Sequence, residues 1–211
     1  MIRLDVFSDP VCPWCYIGKA NLDRALEAHA DHPFRIEWHP FQLNPDMPPE
    51  GVDKHAYLSE KFGEDRLEQM HLRLKEASRA AGAEIDPSVP KRMPNTLDAH
   101  RLIHWAGLEG RQTAVVSAIM RAYCKEGRDI GNPSVLADIA AASGMDRAVT
   151  ARLLATDADA DDLRARDQDA RDKGVNSVPT FLIAQQYVVT GAQPPQVWAN
   201  VIEELVQKAK G

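Results

Sequence analysis

Hydrophobic and polar positions alternate twice near the start of the chain. Ile2, Leu4 and Val6 alternate with Arg3 and Asp5, and Phe34, Ile36 and Trp38 alternate with Arg35, Glu37 and His39. A period of two predicts strands. Between them Leu22, Ala25, Leu26 and His29 recur at helical spacing, and Pro33 closes the run. Ser8-Asp9-Pro10 is a turn and capping cluster. The helix is expected to start at Cys12 or Pro13, because a proline in the first turn lacks only an N–H that has no intrahelical partner there. Strand, helix and strand make a βαβ unit, with the two strands parallel in one sheet.

Asn44-Pro45-Asp46-Met47-Pro48-Pro49-Glu50-Gly51 breaks the pattern, since its prolines exclude a helix or strand interior. From about residue 55 to 173 the period turns helical. Leu67, Met70, Leu74 and Ala77 share one face, ended by Gly82. Pro87, Pro90 and Pro94 mark a connector. Asn95, with Asp98 three residues on, reads as a capping-box variant. Val115, Val116, Ile119 and Tyr123 define the next helix, Asn132-Pro133 opens another, and a short one follows Asp146. Residues 157–173 read as a solvated helix, with Asp162/Arg166 and Asp167/Arg171 at ion-pair spacing. The strand period then returns at Thr180–Ile183 and Tyr187–Thr190, a hairpin. Pro194-Pro195 opens a last helix that carries Val197, Val201, Ile202, Leu205 and Val206 on one face.

Composition narrows the class. Of 211 residues, 44% are hydrophobic and 27% charged, an ordinary globular balance with a core of useful size. The net charge of −6 argues against nucleic acid or an anionic membrane as partner. No apolar run approaches the roughly 20 residues of a membrane span. Residues 1–7 do not read as a signal peptide. Three cysteines are too few for a disulfide framework, and a cytoplasmic protein with reduced thiols is expected.

Against that background Cys12-Pro13-Trp14-Cys15 stands out. The spacing lets both sulfurs meet across one helical turn. Unpaired N–H groups and the positive end of the dipole at a helix N-terminus favour a thiolate, whereas a nearby Asp9 carboxylate opposes it. Cys12, first in the helix, is expected to keep its sulfur exposed and to act as nucleophile. Cys15, one turn in, is expected to be buried and to resolve the mixed disulfide. Tetrahedral zinc would need a second ligand pair, and Cys124 is isolated, so no metal site is expected. A two-residue disulfide loop used only as a staple restrains little. Val178-Pro179 precedes the returning strand. Taken alone it reads as an ordinary edge proline; beside a Cys-x-x-Cys in a βαβ unit it reads as a cis-proline loop facing the thiols.

With these residues in view, the sequence resembles the thioredoxin-fold DsbA family and, within it, the FrnE-like dithiol oxidoreductases. The match runs through Phe7–Lys19, Trp38–Pro45, Asn95-Thr96, Ala99-His100-Arg101, Ala122-Tyr123, Glu126-Gly127, Gly174-Val175, Val178–Phe181 and Thr190–Pro194. The resemblance implies an α/β thioredoxin-like fold, βαβ…αββα, with a long all-helical insertion. Residues 1–44 and 174–211 would form the thioredoxin-like domain and 45–173 the insertion, whose last helix is open to assignment to the core. It implies a dithiol–disulfide oxidoreductase with nucleophilic Cys12, resolving Cys15, and support from Pro13, Trp14, Val178 and a cis Pro179. No cofactor is implied beyond the redox-active disulfide, although glutathione is compatible as co-substrate. Partners would be protein or small-molecule disulfides and thiols. Monomer and homodimer both remain open.

The related hydroxychromene-carboxylate isomerases and kappa-class glutathione transferases carry serine where this chain has Cys12, which argues against glutathione-dependent isomerisation or transfer. A non-catalytic chaperone-like binding module is the other alternative. Tyr16 beside the thiols, and His100 and Arg101 on a helix over the cleft, are candidates for substrate binding, Arg101 through a substrate carboxylate. Packing or a surface salt bridge would explain them as well. His39 reads as structural. Cys124, on the Val116/Met120 ridge, reads as a buried small hydrophobe, with a regulatory thiol as the alternative.

Overall fold

A computed structural model describes residues 1–210, with side chains through 208. Strand β1 (Ile2–Ser8), helix α1 (Pro13–Ala28) and strand β2 (Phe34–Pro40) form the expected parallel βαβ unit, in register Leu4↔Ile36 and Val6↔Trp38. Across the insertion, β5 (Thr180–Ile183) returns antiparallel to β1, and β6 (Tyr187–Thr190) pairs with β5. The sheet order is β2-β1-β5-β6. The last helix, α9 (Pro195–Lys210), packs on α1 and sets Trp198 edge-on against Phe181 at 4.7 Å. The hairpin turns through Ala184 (φ 53°) and Gln185 (φ 57°), so two residues with side chains take the left-handed conformation that Asn or Gly would adopt more cheaply.

β1 is one of the two interior strands, covered on both sides. Asp5, which the alternation placed on a polar face, is buried there. Its carboxylate meets His39 Nε2 at 2.6 Å, and the His39 ring stacks on Phe7. His39 is structural, as expected, and burial pulls its pKa down despite Asp5.

The insertion contains α2 (Lys54–Phe62), α3 (Glu64–Ala80), α4 (Leu97–Leu108), α5 (Gln112–Cys124), α6 (Pro133–Ala142), α7 (Arg147–Leu154) and α8 (Ala160–Asp172). Two short strands that the sequence did not announce, β3 (Val52–Asp53) and β4 (Arg92–Met93), pair antiparallel and tie together the two ends of the α2–α3 segment. The outer edge of β2 is closed by α5. Gln112 accepts from Trp38 N–H at 2.9 Å and donates to Trp38 C=O at 3.1 Å, and the indole N–H reaches Thr113 at 3.0 Å. At Trp38 the edge groups are thus taken by a helix and not left for another chain. One continuous buried cluster runs from Leu4 and Val6 in the sheet through Leu102 and Ile119 in the insertion to Trp198.

Two expectations need correction. α4 begins at Leu97 with Thr96 as its N-cap; Asn95 stands one residue further out, accepting from Leu97 N–H and donating to Met47 C=O at 2.6 Å. Asp98 does not complete a capping box, because its carboxylate holds Arg101 at 2.7 Å. Helix α8 is not solvated all round. Ala160, Leu163, Asp167 and Ala170 form a buried stripe, and Asp167 accepts from Gln42 N–H at 2.9 Å. Its predicted ion pairs do form, Asp162–Arg166 at 3.8 Å and Asp167–Arg171 at 3.1 Å.

Candidate active site

The thiol pair sits where β1 turns into α1. Cys12 N–H bonds back to Asp9 C=O at 2.9 Å, and Cys12 is the N-cap of α1, with Pro13 in its first turn. The N–H groups of Cys15 and Tyr16 both point at the Cys12 carbonyl, at 3.0 and 3.2 Å. Thus Cys12 stands outside the helix while Cys15 lies one turn in, as the spacing requires. The Val178–Pro179 peptide is cis and faces the pair: the Cys12 thiol donates to the Val178 carbonyl at 3.8 Å. α1 approaches this loop closely at Gly18, where an added Cβ would stand 3.0 Å from Pro179 Cγ. A side chain there would be tight against Pro179 and Ala192, which would have to give by a few tenths of an ångström.

The expected exposure of Cys12 is not found. Cys12 is 5% exposed and Cys15 1% exposed. Burial, with Cys12 as neighbour, pushes the Cys15 thiol up, which suits a group that stays protonated until it is needed. Cys12 opens into a cavity of about 380 Å³ between the sheet domain and α2, α3 and β4. Trp14, 39% exposed, stands at its mouth, and Val178 forms part of the wall.

Behind the thiols the surroundings are polar and sealed. Asp9 is 1% exposed, accepting from Leu43 N–H at 2.7 Å and Val11 N–H at 3.4 Å. Burial outweighs these bonds and raises its pKa to about 7. The carboxylate that was expected to oppose a thiolate is therefore mostly neutral below that pH. His100, 3% exposed, places Nε2 3.8 Å from Asp9 Oδ1, with no hydrogen-bond partner for that nitrogen among the described residues. Burial, with Arg166 nearby, lowers its pKa to about 3. By distance the two form an ion pair, but low-dielectric surroundings favour the neutral form of each.

The remaining candidates are not brought to the thiols' open side. Arg101 is 2% exposed and four of its five N–H donors are engaged: Nε on Ala158 C=O at 2.7 Å, Nη2 on Leu153 and Thr156 C=O, and Nη1 on Asp98. Buried and held in this way, it is not presented to a substrate carboxylate; Arg101 fastens α4 to the α7–α8 connection. Tyr16 points to a separate groove beside Lys19 and Arg121. His100 lies behind the pair rather than in the cavity.

The sequence did not place Lys54, Tyr123 or Cys124 in the cavity. Lys54 enters its wall half-buried, and burial lowers its pKa to about 8. Tyr123 and Cys124 line it from the end of α5. Cys124 is 3% exposed, the buried small residue that its helical ridge predicts, and burial pushes its thiol up. Nothing in the pattern around Lys54 distinguishes it from a surface lysine at a helix start.

Comparison with known proteins agrees with this geometry. The family model described as a DSBA-like thioredoxin domain matches residues 3–203. The chain belongs to that family, and with its paired cysteines it is a thiol–disulfide oxidoreductase. It is 26% identical over 209 residues to the protein YwbO of Bacillus subtilis (strain 168), covering 98% of each chain. Among solved structures it is similar to a probable DsbA oxidoreductase from Streptomyces coelicolor, with TM-score 0.85 and 29% identity, covering 97% of this chain and 89% of that one. It also shares its fold with the cytosolic disulfide reductase DsbM from Pseudomonas aeruginosa, solved with GSH, with TM-score 0.71 and 22% identity, covering 97% of this chain and 99% of that one.

Proposed function

We propose that the chain is a FrnE-like dithiol oxidoreductase of the cytoplasm in which Cys12 is the nucleophile and Cys15 the resolving thiol. The observation that carries this reading is the asymmetry of the pair. Both thiols are buried, but Cys12 lines an open cavity beside the Val178 carbonyl while Cys15 is sealed one helical turn below. Only Cys12 can be attacked from outside. In exchange, the Cys12 thiolate attacks one sulfur of a substrate disulfide, breaking that bond and releasing the other sulfur as a thiolate. Cys15 then attacks Cys12 Sγ, the Cys12–Cys15 disulfide forms and the second substrate sulfur leaves as a thiolate, so two electrons pass from protein to substrate. The reverse sequence reduces the protein. The run Trp38–Pro45 together with Cys-Pro-Trp-Cys supports the FrnE-like assignment, and the low cysteine count supports the cytoplasm. The kinship with a disulfide reductase solved with GSH supports glutathione as one reductant to be assayed.

Disulfide reduction by wild type and Cys12→Ala tests this. Removing the nucleophile should cost roughly a thousandfold or more in rate. Cys15→Ala should instead accumulate a mixed disulfide on Cys12, visible by intact mass. Undiminished turnover in Cys12→Ala would remove the reading.

A further inference from the structure

Three features of the cavity in front of Cys12 bear on what it admits. Its wall is apolar, with Leu58, Leu67, Met70, Leu74, Ile85 and Met93 supplied by the insertion. Its volume, about 380 Å³, lies at the small-molecule end of ligand sites. Its charged lining is basic: Lys54 and Lys61 face it beside His71, and no aspartate or glutamate lines it among the described residues, in a chain whose net charge is −6.

Lys54 is the informative member. Its ammonium donates to the Pro87 carbonyl at 2.6 Å and lies 5.9 Å from the Tyr123 ring centroid. Acids close by are engaged elsewhere. Asp53 caps α2 through Ala56 N–H, and Asp86 pairs with Lys75 at 3.3 Å. A half-buried cation in an apolar wall without a carboxylate counter-ion is costly unless a ligand supplies the charge. Lys61, exposed at the rim, keeps the approach positive.

We propose, resting on the thiol reading above, that the cavity takes a small apolar thiol or disulfide bearing one anionic group, with the apolar body against the insertion wall and the anion on Lys54. A disulfide of a folded protein is a poor fit, because Cys12, at 5% exposure, is reached only through this cavity.

The test uses one dithiol in two charge states. Dihydrolipoate carries an apolar alkyl body and a carboxylate; dihydrolipoamide has the same dithiol and a neutral amide. Either can reduce the oxidised protein. One ligand thiolate attacks Cys12 Sγ and releases the Cys15 thiolate. The second ligand thiol attacks the ligand sulfur of the mixed disulfide and releases Cys12. Two electrons pass to the protein, and the ligand closes to its cyclic disulfide. The reduction rate of oxidised wild type, in kcat/KM form, should favour the acid by roughly tenfold. The ratio should fall towards one in Lys54→Met and persist in Lys54→Arg. A wild-type ratio near one, or a ratio that Lys54→Met leaves intact, would overturn the proposal while leaving the thiol chemistry standing. If neither dithiol reduces the protein faster than it reduces a free small-molecule disulfide, the oxidoreductase reading falls and this inference with it.

Discussion

The two sides of the Cys12–Cys15 pair are built from opposite materials. In front lies an apolar cavity with a basic rim, open to ligand. Behind lie Asp9, His100 and, further out, Arg101, polar groups with almost no exposure. The contrast separates two jobs. The front selects what reaches Cys12. The rear joins the insertion to the βαβ unit through groups whose alternative partners, the waters of the unfolded chain, have been removed. Polar residues near an active site are readily read as substrate contacts; here their burial and satisfied bonds assign most of them to architecture.

The comparison can be broken most forcefully at Arg101. Arg101→Leu strands the carbonyls of Leu153, Thr156 and Ala158 and the Asp98 carboxylate. Urea unfolding should show a loss of roughly 3–5 kcal/mol, with exchange through Cys12 per folded molecule retained. Full stability with weakened substrate binding would return Arg101 to the front.

A subtler effect belongs to the Asp9–His100 pair. Asp9 keeps its proton up to about pH 7 when folded but loses it near 3.8 when unfolded, so its contribution to stability falls as pH rises between those values. His100, at about 3 folded and 6.5 unfolded, makes a contribution that rises with pH across its own window. Between about pH 4 and 6.5 the two states of the pair hold one proton each, on Asp9 when folded and on the histidine when unfolded, and the slopes cancel. Single variants should expose them. Relative to wild type, Asp9→Asn should gain stability as pH rises through this window, and His100→Gln should lose it, each by up to about 1.4 kcal/mol per pH unit. Parallel curves for all three proteins would show that the pair is not protonated in this way. At the small end, Asp162→Ala on the exposed face of α8 should change stability by only about 0.2–0.5 kcal/mol, an effect abolished by salt. A larger loss would mean that α8 is held by its surface charges rather than by the Ala160–Ala170 stripe.

Much of the sheet domain was legible because its signals are local. Alternation marks β1 and β2, the two-residue gap marks the thiol pair, and Val178-Pro179 sits directly before β5. What was missed depends on distance in sequence. The three carbonyl partners of Arg101 lie more than 50 residues downstream, so its burial has no local mark beyond Asp98. Cys12 is covered by residues from α5 and the Val178 loop that no helix-start rule can supply. β3 and β4, at two residues each, are too short for any period to register. Lys54 acquires meaning only once Pro87 and Tyr123 close around it. In α8 the stripe was present as Ala160, Leu163 and Ala170, but the run of charges around it concealed it.

The pairing of Leu4 with Ile183 also constrains how the chain assembles. β1 and β2 can meet early, across one helix, and β5 can pair locally with β6, whereas β5 must close a loop of well over a hundred residues before it bonds to β1. Loop-closure entropy of that order grows only logarithmically with length, but a contact of high sequence separation still slows a search. Because the inserted helices share one buried cluster with the sheet, their packing on β1 and β2 would shorten that loop. The redox centre is thus closed from the far end of the chain, by the loop that brings the Val178 carbonyl to Cys12.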